Sequence, residues 1–219
     1  MTSLFFHLLE ELHRKSLRMA SLVEDIVHEA CTAALECDQE LAKRVISRDQ
    51  AVDDQEVEIE AETVRIMARY QPLGPDLRLL FTILKVNNDL ERIADCAVNV
   101  AERAKHLQPA ALTLMNQPME QMGILVRRML RTAVQAYGLR DAKLGQELVS
   151  DDEDVDAIYA QIIQSVAAHA SQEPGLLEGC LDLLSIAKNL ERIADHATNI
   201  AEDIVFLNTG EIVRHRERG

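Results

Sequence analysis

One stretch of thirteen residues occurs twice in this chain, one hundred positions apart. Residues 90–102 read LERIADCAVNVAE and residues 190–202 read LERIADHATNIAE, identical at ten of thirteen positions. A match of that length marks an internal repeat, and such a period in 219 residues predicts two similar halves. The spacing within the repeat is helical. Leu90, Ile93, Ala94, Ala97, Val100 and Ala101 recur at the intervals of an apolar stripe. Glu91, Asp95, Asn99 and Glu102, at i, i+4, i+8 and i+11, fall within an arc of roughly 80° beside it. The second copy repeats the ridge with Glu191, Asp195, Asn199 and Glu202. Carboxylates stacked in this way repel one another by about 0.2–0.5 kcal/mol per pair, a sign that a bound cation would reverse.

Composition narrows the fold class to all-α. The apolar content of 47% comes from aliphatic residues and Met, with 3% aromatics, no Trp, eight Gly and five Pro. Sheet-rich chains usually carry more aromatic and turn residues. The formal net charge of −14 disfavours nucleic acid and direct attachment to anionic lipid, and it favours cations and basic partner surfaces. The four Cys, at 31, 37, 96 and 180, form no CxxC pair and suggest reduced thiols in a cytoplasmic protein. No leader-like N-terminus and no apolar run near 18 residues is expected to insert in a bilayer, so any work at a membrane would go through partners.

Helical periodicity and breakers predict six long helices, over about 5–36, 38–70, 76–106, from after Gln117-Pro118 to near Gly138, 141–170 and 176–207. Asp38 is an expected N-cap, and Gly138 suggests a C-cap or a short turn. Residues 214–219 lack periodicity. Gln108-Pro109 divides the chain into 1–108 and 109–219. The expected architecture is two tandem, pseudo-symmetric antiparallel three-helix bundles.

A second acidic ladder lies on the second helix: Asp49, Asp53, Glu56 and Glu60, at i, i+4, i+7 and i+11. Its counterpart keeps Asp152 and Asp156 but has Tyr159 and Ile163 where the glutamates stood. Neighbouring ladders could converge on an all-oxygen strip suited to Mg²⁺, Mn²⁺ or Fe, whereas tetrahedral zinc more often takes Cys or His. Spacing alone is equally compatible with a solvated acidic face. Asp49, Asp53, Glu91, Asp95 and Asn99, with Asp152, Asp156, Glu191, Asp195 and Asn199, are the candidate metal-site residues. No phosphate loop, GxSxG motif or assembled nucleophile and base is legible, so no catalytic residue and no organic cofactor is expected.

The doubled LERIAD followed by Ala-x-Asn-(Val/Ile)-Ala-Glu resembles the PhoU family, as does Arg65-Ile-Met-Ala-Arg-Tyr-Gln-Pro72 before Asp76-Leu-Arg78. The resemblance spans nearly the whole chain. It implies two three-helix bundles and a cytoplasmic accessory of the high-affinity phosphate transporter. It also implies a negative regulator of phosphate-starvation signalling, with the transporter ATPase and a phosphate-sensing histidine kinase as partners. It further implies surface metal clusters, of Fe, Zn, Mn or Mg, held through Glu91 and Asp95 and through Glu191 and Asp195. Ala94 and Ala194 stand where relatives commonly have Gly. A homodimer fits such elongated bundles. A carboxylate-bridged metalloenzyme and a metal-free helical scaffold are the alternatives.

Overall fold

A computed structural model describes residues 3–148 and 152–211; residues 1–2, 149–151 and 212–219, the expected 214–219 tail among them, lie outside the described residues. Among the described residues there is no strand. The helices are α1 (Ser3–Glu36), α2 (Gln39–Ile46), α3 (Asp49–Tyr70), α4 (Pro75–Ala104), α5 (Pro109–Thr113), α6 (Asn116–Leu139), α7 (Ala142–Leu148), α8 (Asp152–Gln172) and α9 (Leu177–Thr209). A 3₁₀ turn, Pro174–Leu176, precedes α9. The expected second rod is divided into α2 and α3, the fifth is described as α7 and α8, the short α5 lies in the link between the halves, and the two-bundle architecture holds. The first bundle is α1, α2–α3 and α4; the second is α6, α7–α8 and α9.

The turns that follow α1 and α6 fall at matching places and have local causes. Cys37 takes a left-handed conformation (φ 53°) before Asp38, and Arg140 does the same (φ 54°) before Asp141. Asp38 Oδ1 accepts from Glu40 N and Leu41 N, at 3.0 and 2.9 Å, and Asp141 Oδ1 accepts from Lys143 N at 2.9 Å. Each thus supplies an acceptor for helix-start donors that have no intrahelical partner. The expected unbroken second helix instead stops at Ile46. Ser47 Oγ donates to Arg44 O (2.8 Å) and Arg48 N–H to Val45 O (3.0 Å), tightening the chain into a turn before α3 starts at Asp49. Asp49 stands in the first turn of α3, and its counterpart Asp152 is the first described residue of α8. Gly138 is not a C-cap: α6 runs through it to Leu139 and turns at Arg140, and Leu17 of α1 packs beside the glycine.

The most extensive packing joins α4 to α9, so the bundles share one core. Polar contacts show the two helices to be antiparallel. Arg78 Nε donates to Leu207 O (3.3 Å), Lys85 pairs with Asp203 (2.7 Å), Asp89 with His196 (2.8 Å) and Arg103 with Asp182 (3.6 Å). Numbers rise on one helix as they fall on the other, and the pairings centre near Arg92 and Arg192. The two copies of the repeat therefore cross at the middle of the molecule. Behind them α1 and α6 pair antiparallel too, through Glu10–Arg140, Ser16–Tyr137 and His28–Arg127. The elements α2–α3 and α7–α8 pack against the other two rods of their own bundle.

Candidate functional site

Leu90, Ile93, Ala94, Ala97, Val100 and Ala101 are buried, as are their counterparts one hundred residues on. That burial turns the acidic ridge of α4 toward α3 and the ridge of α9 toward α8. In the first groove, Asp49 is pushed above the usual carboxylate range by burial and by Asp53, Asp95 and Glu102. Glu91 is raised by burial, then by Asp95, with Asp53 and Glu56 adding and Arg92 opposing. Glu56 is raised by burial, Glu60 and Asp53. Asp49, Asp53, Glu91 and Asp95 thus stand in one another's field across the helix pair, which periodicity alone could not establish.

The second groove has the same plan with fewer acids. Asp195 is pushed up to about 6, first by burial and then by Glu191, Asp152 and Asp156, while Lys188 opposes. Thr198 Oγ1 lies 3.4 Å from Asp152 Oδ1 and ties α9 to the first turn of α8. Asn99 is exposed on α4, and Asn199 lines a shallow cleft with Lys85, Asn88 and Asp89 of α4.

These side chains offer carboxylate oxygens, which fit a hard or borderline cation. Asn87 adds an amide oxygen that is buried without a partner on the α3 side of α4. As placed, no group of three or more His, Cys, Asp or Glu among the described residues could hold a metal ion. Local cations draw the acids aside: Arg92 lies 3.2 Å from Glu91 and 3.4 Å from Asp95, and Lys188 lies 2.6 Å from Glu191. The donor set therefore suits a cation, and binding requires these carboxylates to turn inward. Softer ligands are spoken for, since Cys96 is buried in the core and His196 is paired with Asp89.

Sequence reading missed Lys188 seated on Tyr159, Asn87 beneath Glu56, and the Asp89–His196 pair. Asn87 lies four residues before Glu91, a spacing that placed it near the ridge without showing its burial.

The thiols do not resemble nucleophiles. Burial pushes Cys31 and Cys96 up to about 11, so both are protonated at neutral pH. A cleft of about 390 Å³ between α1 and α6 is lined by Glu24, Asp25, His28, Arg127 and Arg131, on helices other than those of the acidic grooves. No helix among the described residues is long and apolar enough to cross a membrane.

Comparison with known proteins agrees with this geometry. The PhoU domain family matches the chain twice, over residues 16–104 and 119–204. A protein named phosphate-specific transport system accessory protein PhoU homolog from Zymomonas mobilis is 35% identical over 92% of this chain and 85% of its own length. Its namesake from Aquifex aeolicus is 35% identical over 96% of each chain. The crystal structure of PhoU from Pseudomonas aeruginosa superposes with a TM-score of 0.90 at 33% identity, covering 94% of this chain and all of that one. PhoU from Streptococcus pneumoniae, a phosphate transport system regulatory protein, gives 0.89 at 29% identity, over 95% of this chain and 99% of its own. The two matched segments coincide with the two bundles that α4 and α9 bring together, and the chain belongs to the PhoU family.

Proposed function

We propose that this protein is a non-enzymatic regulator of phosphate uptake. It acts as a cytoplasmic adaptor that restrains the phosphate transporter and phosphate-starvation signalling through protein contacts. The observation that carries the reading is the match, over nearly the whole chain, to relatives named as accessory proteins of the phosphate-specific transport system. The fold supports it: long helices packed on one shared core make a rigid body, and its thiols are protonated rather than poised for attack. Its partners are the transporter ATPase and the phosphate-sensing kinase, it works as a homodimer, and it reaches the membrane only through them. The chain divides functionally at 108/109, one acidic groove to each part.

Each groove takes a divalent or trivalent cation, Mn²⁺, Mg²⁺, Fe or Zn, with no organic cofactor. Glu91, Asp95, Asp49 and Asp53 hold it in the first groove, and Glu191, Asp195, Asp152 and Asp156 in the second, with Asn99 and Asn199 at the margins. When bound, the ion supplies positive charge that offsets mutual repulsion and cross-links two helices of one bundle.

The experiment is co-purification of the untagged protein with the transporter ATPase and the kinase from phosphate-replete cells, with starvation-gene output measured in a deletion strain. Capture of both partners and constitutive output on deletion are expected. No partner together with unchanged output would sink the proposal.

A further inference from the structure

The two acidic grooves differ at a few clustered positions. Glu56, Glu60, Asn87 and Asn88 of the first half correspond to Tyr159, Ile163, Ala187 and Lys188 of the second. In the first groove Asn87 is 1% exposed. Its Nδ2 donates to Glu56 O at 3.0 Å and reaches Glu56 Oε1 at 3.4 Å, while its Oδ1 is buried with no partner. That assignment is the sensible one, because a flipped amide would set oxygen against the Glu56 carbonyl. An unpaired buried acceptor beside a carboxylate suits a cation better than either group alone.

In the second groove a cation is already built in. Lys188 Nζ donates to Glu191 Oε2 at 2.6 Å and stands 5.4 Å from the centre of the Tyr159 ring. A carboxylate and an aromatic face both attract an ammonium group. Tyr159 is what replaces Glu56, so the residue that removes a carboxylate also seats the lysine. The first groove has a counter-charge of its own, since Arg92 lies 3.2 Å from Glu91 and 3.4 Å from Asp95; what separates the halves is that Glu56, Glu60 and Asn87 add oxygens there, where the second has Tyr159, Ile163 and Ala187.

We propose that the grooves are unequal cation sites: Lys188, seated on Tyr159, is a resident counter-ion of the second, and the first, with Glu56, Glu60 and the Asn87 oxygen, is the one left for an exogenous divalent cation. The inference rests on the metal-binding reading above and sharpens it from two equivalent sites to one strong site and one self-filled site. The cation in question is of the oxygen-seeking class, and the second groove accepts it only when the ammonium is withdrawn.

Mn²⁺ titration of the full chain by calorimetry, with metal content measured after gel filtration, tests it. Glu91→Gln/Asp95→Asn should weaken Mn²⁺ binding at least about tenfold, whereas Glu191→Gln/Asp195→Asn should leave it near the parent value. Adding Lys188→Met to the Glu91→Gln/Asp95→Asn protein should restore binding, now in the second groove. Equal losses from the two pairs, or no restoration, would overturn the inequality. If the parent protein binds no Mn²⁺, the metal reading itself fails, and melting in chelator then judges the counter-ion. Lys188→Met should lower the melting temperature and Asn88→Lys, which installs the ammonium in the first groove, should raise it. Unchanged melting of both variants would remove Lys188 from that role.

Discussion

His13 of α1 is buried edge-on against the Tyr137 ring, with centroids 4.8 Å apart. Arg140 Nη2 lies 3.1 Å from its Nδ1, and arginine only donates, so the ring proton belongs on Nε2. Burial first and Arg140 next lower its pKa from 6.5 to about 4. The unfolded chain then binds more protons than the folded one between those values, so stability falls as pH drops from 6.5 toward 4. The loss is at most about 3 kcal/mol. Urea melts of the parent and His13→Phe across that window should show a shallower slope for the variant; identical slopes would exclude His13 as the cause. Asp195 works in the opposite sense. Its folded pKa of about 6 exceeds the ordinary aspartate value of 3.8, so its contribution is present at low pH and is lost as pH rises through about 6. Asp195→Asn should therefore stabilise the metal-free protein at neutral pH, by about 1 kcal/mol once solvent screening is allowed for. Destabilisation by that change would mean that the carboxylates of the second groove are not in net repulsion.

Among the elements, the broken rods are the most informative. The Asp38 cap was legible because a short polar acceptor precedes an apolar period, and Asp38→Ala should cost about 1 kcal/mol in thermal or urea melts. The interruption at Ser47 was not legible, since its cause is a side-chain hydroxyl returning to Arg44 O within an otherwise good helical pattern. Gly145 of α7 gives a sharper test. A Cβ there would lie 2.9 Å from the Ala201 carbonyl oxygen on α9, whereas Ala42 is accommodated at the matching place in α2. Gly145→Ala should cost about 1–3 kcal/mol through overpacking, while Ala42→Gly should be destabilising for the different reason of lost helix propensity. A neutral Gly145→Ala in equilibrium unfolding would show that α7 can move off α9. Gly138 was misread as a terminus because its helical neighbours continue to Leu139, where Arg140 supplies the left-handed residue.

At the scale of the whole molecule, the repeat made the two bundles legible, but the periodic positions alone did not show which rods would meet. The α4–α9 junction is assigned by Lys85–Asp203, Asp89–His196 and Arg103–Asp182, pairs separated by about eighty to one hundred and twenty residues and invisible to any local pattern. Convergence of Asp49 and Asp53 on Glu91 and Asp95 was anticipated from matching ladders, and the inequality of the two grooves only from Tyr159 and Ile163. Because the main packing runs between the halves rather than beside them, they should unfold together. Calorimetry of the intact chain should show one transition, and two resolved transitions would mean that the shared core is weaker than its burial implies. The crossing of the two repeat copies near Arg92 and Arg192 has one more effect. A visitor that senses only the shared motif can land in either of two poses related by a half-turn, as a plug enters a reversible socket. Handedness of engagement must then be read from exposed places where the halves differ, such as Asn88 against Lys188.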